Sequence, residues 1–466
     1  MSLDSVLQQP RTKVLEALTD LKSLLWHVEY ASFFKQRLAE GAALIHTPRR
    51  KLTHADQWTE DVVSVFADNK GLTVQRSAEI FGKRLLANLL EHGILVERKE
   101  KVGSVFRILP VNQFLILIPF RQFAEPPVYI GADSLTFQRH IQVRKRPKNI
   151  LDLATGSGFQ LFSLPWQGPD CHMTGVDVNA NAVEVGQLNA SWNNSSWMSF
   201  LERDITQNLD LGTEFDLIIG NPPIIPTPAP GTTNTRLQGM VHADGGTDGF
   251  EVVRKLLANI PPLLTSDGTC QLILCSLGDG ETPTLIPEIQ ELLHDHQLAG
   301  RLLAIKQIPV ELDSYYRGQQ DLGEYRRWMQ FYNEQKQGFW YRLILRLWKV
   351  DGSSDLQYTK AYRTDFNKPP NRERVTQELT RRHIAFYLAD TLLTKSSRQA
   401  FDSAVDQLSR EVGRKHPYEL DLVSYGYELF ERYPSIFPTA GAAIRWWAQV
   451  TDEYWWKPKY LERVLW

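Results

Sequence analysis

"NILDLATGSGFQLFSL", residues 149 to 164, decides how the chain is read. Its first five residues, Asn149 to Leu153, make a short apolar run with Asp152 near its end. A small-residue turn follows, Ala154 to Gly158, and then a helical pattern. Glycines at 156 and 158 let the backbone turn tightly and let a ligand approach with no Cβ in the way. A helix start adds free N–H groups and positive dipole character. Read alone, such a turn suits a dinucleotide, a nucleoside or no ligand.

Working outward, β-branched runs alternate with helical segments from about 125 to 310, the pattern of βαβ units around a parallel sheet. Strands are expected at Asn149–Leu153, His172–Asp177, Met198–Glu202, Phe215–Ile219 and Thr269–Ser276. In an open parallel sheet, ligands bind at the carboxyl ends of the strands. The second strand brings Asp177, with Val178 beside it, to that end. A carboxylate there suits the two hydroxyls of a ribose, or simply caps the next helix, for which Asn179 is a candidate. The third leads to Asp204 and Ile205, a candidate pair for an adenine amine and equally a surface loop. The fourth delivers "IIGNPPIIPT", residues 218 to 227, in which Asn221, Pro222, Pro223 and Ile224 follow the strand end. Prolines often stop strands, so this tetrapeptide alone is ambiguous. Its position after Asp152, Gly156, Gly158 and Asp177, in that order, marks it as a site.

The succession "LDLATGSG", "GVDVN", "RD", "NPPI" is similar to the cofactor and catalytic motifs of class I S-adenosylmethionine-dependent methyltransferases. It resembles more closely the branch that carries Asn-Pro-Pro-aromatic and methylates nitrogen. That branch includes the release-factor glutamine methyltransferases and several guanine and adenine amino-methyltransferases of RNA and DNA. "HADGGTDGFEVVRKLL" (242 to 257) resembles the segment that follows the Asn-Pro-Pro loop, and "VYIGADSLTFQRHI" (128 to 141) stands where these enzymes cover the cofactor. The resemblance spans about 125 to 300. It implies a Rossmann-like, mostly parallel α/β sheet and S-adenosyl-L-methionine as cofactor, with no metal. It implies cofactor contacts at Asp152, Ala154, Gly156, Gly158, Asp177, Val178, Asp204, Ile205 and Asn221, and a catalytic Asn221, Pro222, Pro223 and Ile224. Tyr129 and Asp133 are expected to cover the cofactor, and His242 and Asp244 to reach the substrate.

The chain departs from the family at two positions. Ala154 takes the place of the first glycine, and Ile224 that of the aromatic residue which stacks on a planar acceptor. An isoleucine keeps an apolar wall and loses the π-face. The expected acceptor is therefore an amine, amide or guanidine of a small molecule, such as an amino acid or natural-product intermediate. The alternatives are an RNA base, a protein glutamine, or a non-enzymatic winged-helix regulator that senses the cofactor. In the methyl-transfer reading, Asn221 Oδ1 and the Pro222 carbonyl accept from the acceptor's N–H groups and aim its lone pair.

The 466 residues suggest two or three domains. A net charge of -2 gives no global attraction to phosphate backbones or acidic lipids. Cys171, Cys270 and Cys275 make neither a disulfide framework nor a metal cluster. The N-terminus lacks the apolar core of a signal peptide, and "FLILIPF" (114 to 120) is too short to span a bilayer, so a cytoplasmic protein is expected, without a membrane partner. Residues 1–124 read as a helical, winged-helix-like domain able to pair protomers into a homodimer. Its first helix carries a stripe from Val14 to Leu25, and a later helix–turn–helix closes at Gly93 before a hairpin of "ILVER" and "SVFRIL". Residues 125–310 are the expected methyltransferase domain. Residues 311–466 are an aromatic-rich α+β extension with one strand, Tyr341–Leu347. In it, Tyr315, Tyr316 and the tryptophans near 446 and 455 are pocket candidates or core.

Overall fold

Apolar residues at helical spacing build the front of the chain. Helix α1 (Leu3–Leu7) leads into α2 (Arg11–His27), which buries Val14, Ala17, Leu18, Leu21 and Leu25 along one stripe. The computed structural model describes residues 3–31, 57–143, 146–226, 242–309 and 338–360, all within one folded unit. Tyr315, Tyr316, Trp446, Trp447, Trp455 and Trp456 lie outside the described residues.

Helix α3 (Gln57–Asp68) and a two-residue strand β1 (Leu72–Thr73) precede α4 (Val74–Glu91). Thr73 caps α4: its Oγ1 accepts from the Arg76 amide at 3.2 Å. Gly82, at φ +72°, kinks α4 into the two helices expected from the sequence. Strands β2 (Leu95–Arg98) and β3 (Lys101–Ser104) then form an antiparallel hairpin, with β1 on the free edge of β3. Here the expectation needs correction. The turn is Lys99–Glu100, both at positive φ, and Gly103 lies within β3. "SVFRIL" does not pair with "ILVER" as a unit: Phe106 onward forms β4 (Phe106–Val111), which pairs with β5 (Phe114–Pro119). Every residue of β5 is buried, so it needs a partner shielded on both faces, which the half-exposed β2 is not.

The remaining strands are β6 (Asn149–Leu153), β7 (His172–Asp177), β8 (Met198–Glu202), β9 (Phe215–Gly220), β10 (Leu264–Gly278), β11 (Leu298–Pro309), β12 (Phe339–Lys349) and β13 (Leu356–Lys360). They form one sheet in the order β13-β11-β12-β10-β9-β6-β7-β8. Strands β6 to β10 are mutually parallel, β12 is antiparallel to both neighbours, and β13 runs parallel to β11. The sheet does not stop near 310. The tryptophan- and tyrosine-rich strand expected in the extension is inserted between β10 and β11, with Tyr341, Leu343, Ile344, Leu345 and Leu347 fully buried. Cys270 and Cys275 are buried in β10 as small apolar residues.

Helices α5 (Ala132–His140), α6 (Phe159–Ser163), α7 (Ala180–Trp192), α8 (Glu251–Leu263) and α9 (Ile286–Asp295) cover the sheet. The front packs on α7. Trp192 Nε1 donates to the Leu18 carbonyl at 3.0 Å, and Asn189 and Asn193 bond the β5 backbone through their side-chain amides. No helix among the described residues is long and apolar enough to cross a membrane.

Strand order reverses between β6 and β9, the switch point at which open α/β sheets bind ligands. Register makes the coincidence exact in position: Leu153 lies beside Val176 on one side and Gly220 on the other. Ala154, Asp177 and Asn221 therefore emerge side by side at the strand tips.

Candidate active site

A cavity of about 660 Å³ opens beyond the tips of β6 to β9. Ala154, Gly156, Asp177, Val178, Asp204, Ile205, Asn221 and Pro223 all line it. Gly156 and Gly158 take positive φ of 57° and 83°, and so does Ala154, at 58°. A Cβ on Gly158 would meet the Phe200 ring at 2.8 Å, so that position admits no side chain. Gly158 faces Phe200 at the start of α6 and lies outside the cavity lining.

Asp152 is fully buried beneath the turn and does not reach the cavity. Its Oδ2 accepts from Thr155 Oγ1 at 2.7 Å, so it shapes the loop from below. Burial pushes its pKa up to about 8, opposed by the Thr155 hydrogen bond and assisted by the charge of Asp177. Asp177 is part-exposed to the cavity. Its Oδ2 accepts from Gly156 N and its Oδ1 from Asn179 N, each at 2.9 Å. A carboxylate offers about four acceptor sites, so acceptor capacity remains for a ligand. Desolvation raises its pKa, and these backbone hydrogen bonds oppose the rise. Asn179 caps α7 as expected, its Oδ1 accepting from Asn181 N at 3.0 Å. Asp204 is exposed; its Oδ1 accepts from Thr206 N and Oγ1, which holds its pKa below the ordinary value.

Asn221 stands at the tip of β9 and lines the cavity. Its Nδ2 donates to Asp133 Oδ2 at 2.8 Å and to Ser134 Oγ at 3.2 Å. Its Oδ1 is buried and has no hydrogen-bond partner among the described residues. Asp133 Oδ1 accepts in turn from the Tyr129 hydroxyl at 2.7 Å. The Tyr129 ring stacks on His242, centroids 5.3 Å apart, and both line the cavity with Asp244. Burial lowers the His242 pKa, followed by the Arg121 charge, which favours the neutral ring. Pro222 and Ile224 are buried and lie outside the lining. Ile224 is 5% exposed, and Gly245 and Gly249 lie against its backbone carbonyl. Ile224 therefore forms no part of the cavity wall, and its lack of a π-face gives no ground for a small aliphatic acceptor. Sequence reading passed over Ser134, Thr155, Gln160, Thr247 and Glu251, which join the site from neighbouring turns and helices.

The family described as "Methyltransferase small domain" matches residues 129–274. Over 159 residues the chain is 32% identical to a putative protein N5-glutamine methyltransferase of Methanocaldococcus jannaschii, covering 34% of this chain and 77% of that one. The chain belongs to the class I S-adenosylmethionine-dependent methyltransferases, in their protein glutamine branch. Similarity extends to a ribosomal protein uL3 glutamine methyltransferase of Bradyrhizobium diazoefficiens, 32% over 136 residues, covering 28% of this methyltransferase and 41% of the relative. It extends also to a release factor glutamine methyltransferase of Xylella fastidiosa, 32% over 123 residues, covering 26% and 44%. The match thus spans less than half the length of these two bacterial relatives. A solved O-methyltransferase of Brevibacillus brevis with S-adenosylhomocysteine covers 48% of this chain and 73% of its own at 16% identity and a TM-score of 0.30. Of the substrate readings offered by the sequence, the relatives' names favour protein glutamine over a small molecule.

Proposed function

We propose that this methyltransferase modifies the side-chain amide nitrogen of a glutamine in a protein. Asn221 lines the cavity, and its Oδ1, buried and without a hydrogen-bond partner among the described residues, carries the reading. A buried acceptor without a partner is costly, and a substrate N–H supplies the missing donor. The bound cofactor supplies an electrophilic methyl group on its sulfonium. Gly156 and Ala154 hold the backbone open for it, Asp177 takes the ribose hydroxyls, and Asp204 with Ile205 faces the adenine. Asn221 Oδ1 accepts an amide N–H, and the amide lone pair is thereby aimed along the transfer axis. Correct orientation is worth roughly 7–11 kcal/mol in well-aligned cases. As positive charge grows on nitrogen, the Asn221 oxygen stabilises it.

The ionisable groups of the cavity lining are Asp177, Asp204, Asp244, Glu251 and a neutral-leaning His242. With Asp177 and Asp204 given to the cofactor, Asp244 and Glu251 remain to disfavour a phosphate-bearing substrate, which supports protein over RNA. In the same proposal, residues 1–124 are a winged-helix-like module that serves protein substrate placement, the sheet domain runs from 125 to about 360, and the enzyme works in the cytoplasm. Methyl-labelled cofactor incubated with release factor, ribosomal protein uL3, total RNA and free amines tests this. Label on a glutamine of a protein, lost with Asn221→Ala, is expected. Label confined to RNA or free amines would overturn it.

A further inference from the structure

An asparagine amide has two ends of nearly equal size, and only its surroundings choose which faces a substrate. Around Asn221 that choice is built from one direction. Asp133 Oδ2 stands 2.8 Å from Nδ2, and an ionised carboxylate accepts only. Ser134 Oγ, 3.2 Å away, accepts from Gly131 N at 3.3 Å and, as a hydroxyl, serves either amide orientation, so Asp133 makes the choice. The second oxygen of Asp133 is taken by the Tyr129 hydroxyl at 2.7 Å, which keeps the carboxylate from turning. A flipped amide would set its oxygen against this carboxylate and turn its two N–H donors toward the cavity.

We propose that Asp133 is a positioning residue that locks the Asn221 amide with its oxygen toward the cavity, so that the site serves acceptors bearing N–H and refuses those without one. This rests on the role given to Asn221 above. Tyr129 anchors the lock from the cavity mouth, and α5, which carries Asp133 and Ser134 in its first turn, supplies its frame. The signal is a hydrogen bond between residues 88 positions apart, neither of which specifies the other locally.

The test compares wild type, Asp133→Asn, Tyr129→Phe and the exchange variant Asp133→Asn with Asn221→Asp, using release factor and uL3 as substrates. Asp133→Asn keeps the shape but satisfies either amide orientation. It should lower kcat at least about tenfold, with cofactor KM within about threefold. Tyr129→Phe should lower kcat in the same direction by a smaller factor. In the exchange variant the new amide at 133 donates to the new carboxylate at 221, which again turns an oxygen to the cavity. It should recover at least about threefold of the lost kcat, which a merely structural Asp133 would not allow. Wild-type kcat in Asp133→Asn, or an exchange variant no better than Asp133→Asn, overturns the lock.

Should wild type methylate neither protein, the substrate reading fails and the lock is judged separately, in protein labelled with ¹⁵N-asparagine. The side-chain amide signal missing from Asn221→Ala should exchange with solvent at least about tenfold faster in Asp133→Asn. Equal exchange in the two proteins overturns the lock on its own.

Discussion

The amide of Gly156 donates to Asp177 Oδ2 at 2.9 Å, tying the turn after the first sheet strand to the tip of the second. One carboxylate thus fixes the small-residue turn and faces the cavity. The strand tips act as a unit because Leu153, between Val176 and Gly220, keeps all three in register.

Gly158 is the position in this turn least able to change. It sits at φ +83°, and a Cβ would also meet Phe200 at 2.8 Å. Gly158→Ala should destabilise the fold by about 1–3 kcal/mol, the range for a strained backbone position. Chemical denaturation measures it. Truncating Phe200 in the same protein should recover only part, since the backbone strain remains.

Ala154 presents the opposite case. At φ +58° it bears the penalty of a left-handed L-residue, of order 1–2 kcal/mol. Ala154→Gly relieves that penalty and adds roughly 0.5–1 kcal/mol of unfolded-state entropy. The net expectation is a variant as stable as wild type or more so by up to about 1 kcal/mol. A clear loss of melting temperature would contradict the backbone assignment.

Asp152 gives a pH dependence of unusual sign. Its folded pKa is raised from 3.8 to about 8, mainly by burial. Between those values the folded chain holds a proton that the unfolded chain has released. Stability from this group is therefore fully present below pH 3.8 and lost as pH rises toward about 8. The slope is at most about 1.4 kcal/mol per pH unit. Asp152→Asn removes it, so the melting temperature of the variant relative to wild type should climb from pH 5 to pH 8, about the range this shift covers. Parallel melting curves across that window would contradict it.

Asn189 joins the front of the chain to the cofactor turn. Its buried amide accepts from Leu117 N at 2.7 Å and donates to Leu117 O at 3.0 Å and Ser157 O at 3.1 Å. Asn189→Ala leaves buried backbone groups unpaired, at about 1–3 kcal/mol each. Hydrogen exchange at the Leu117 amide should accelerate, and cofactor affinity should fall because Ser157 belongs to the turn. Unchanged protection at Leu117 would show that the amide carries no such weight.

Local sequence was enough for β6, β7 and β8, whose bounds coincide with the expected runs, since each is a short apolar stretch closed by an acid, glycine or polar turn. The same holds for the α2 stripe and the Asn179 cap. What the sequence hid was long-range. Strand β12 enters the sheet between β10 and β11, a pairing decided by burial of both its faces. The Lys99–Glu100 turn carries positive φ on residues that do not advertise it. Ile224 was read as a cavity wall from its place in the motif, whereas it is buried outside the lining, with Gly245 and Gly249, some twenty residues downstream, against its backbone. The Asp133–Asn221 bond, across 88 positions, has no local signature.

The proposed binding of S-adenosylmethionine at the strand tips is the first thing to test. Calorimetry of S-adenosylmethionine on wild type, Asp177→Ala and Asn221→Ala measures it. Two charged hydrogen bonds are worth about 1.5–3 kcal/mol each, so Asp177→Ala should weaken binding at least about tenfold. Asn221→Ala, on the acceptor side, should bind within about threefold of wild type. Folded Asp177→Ala protein that binds as tightly as wild type would place the cofactor elsewhere and contradict the account.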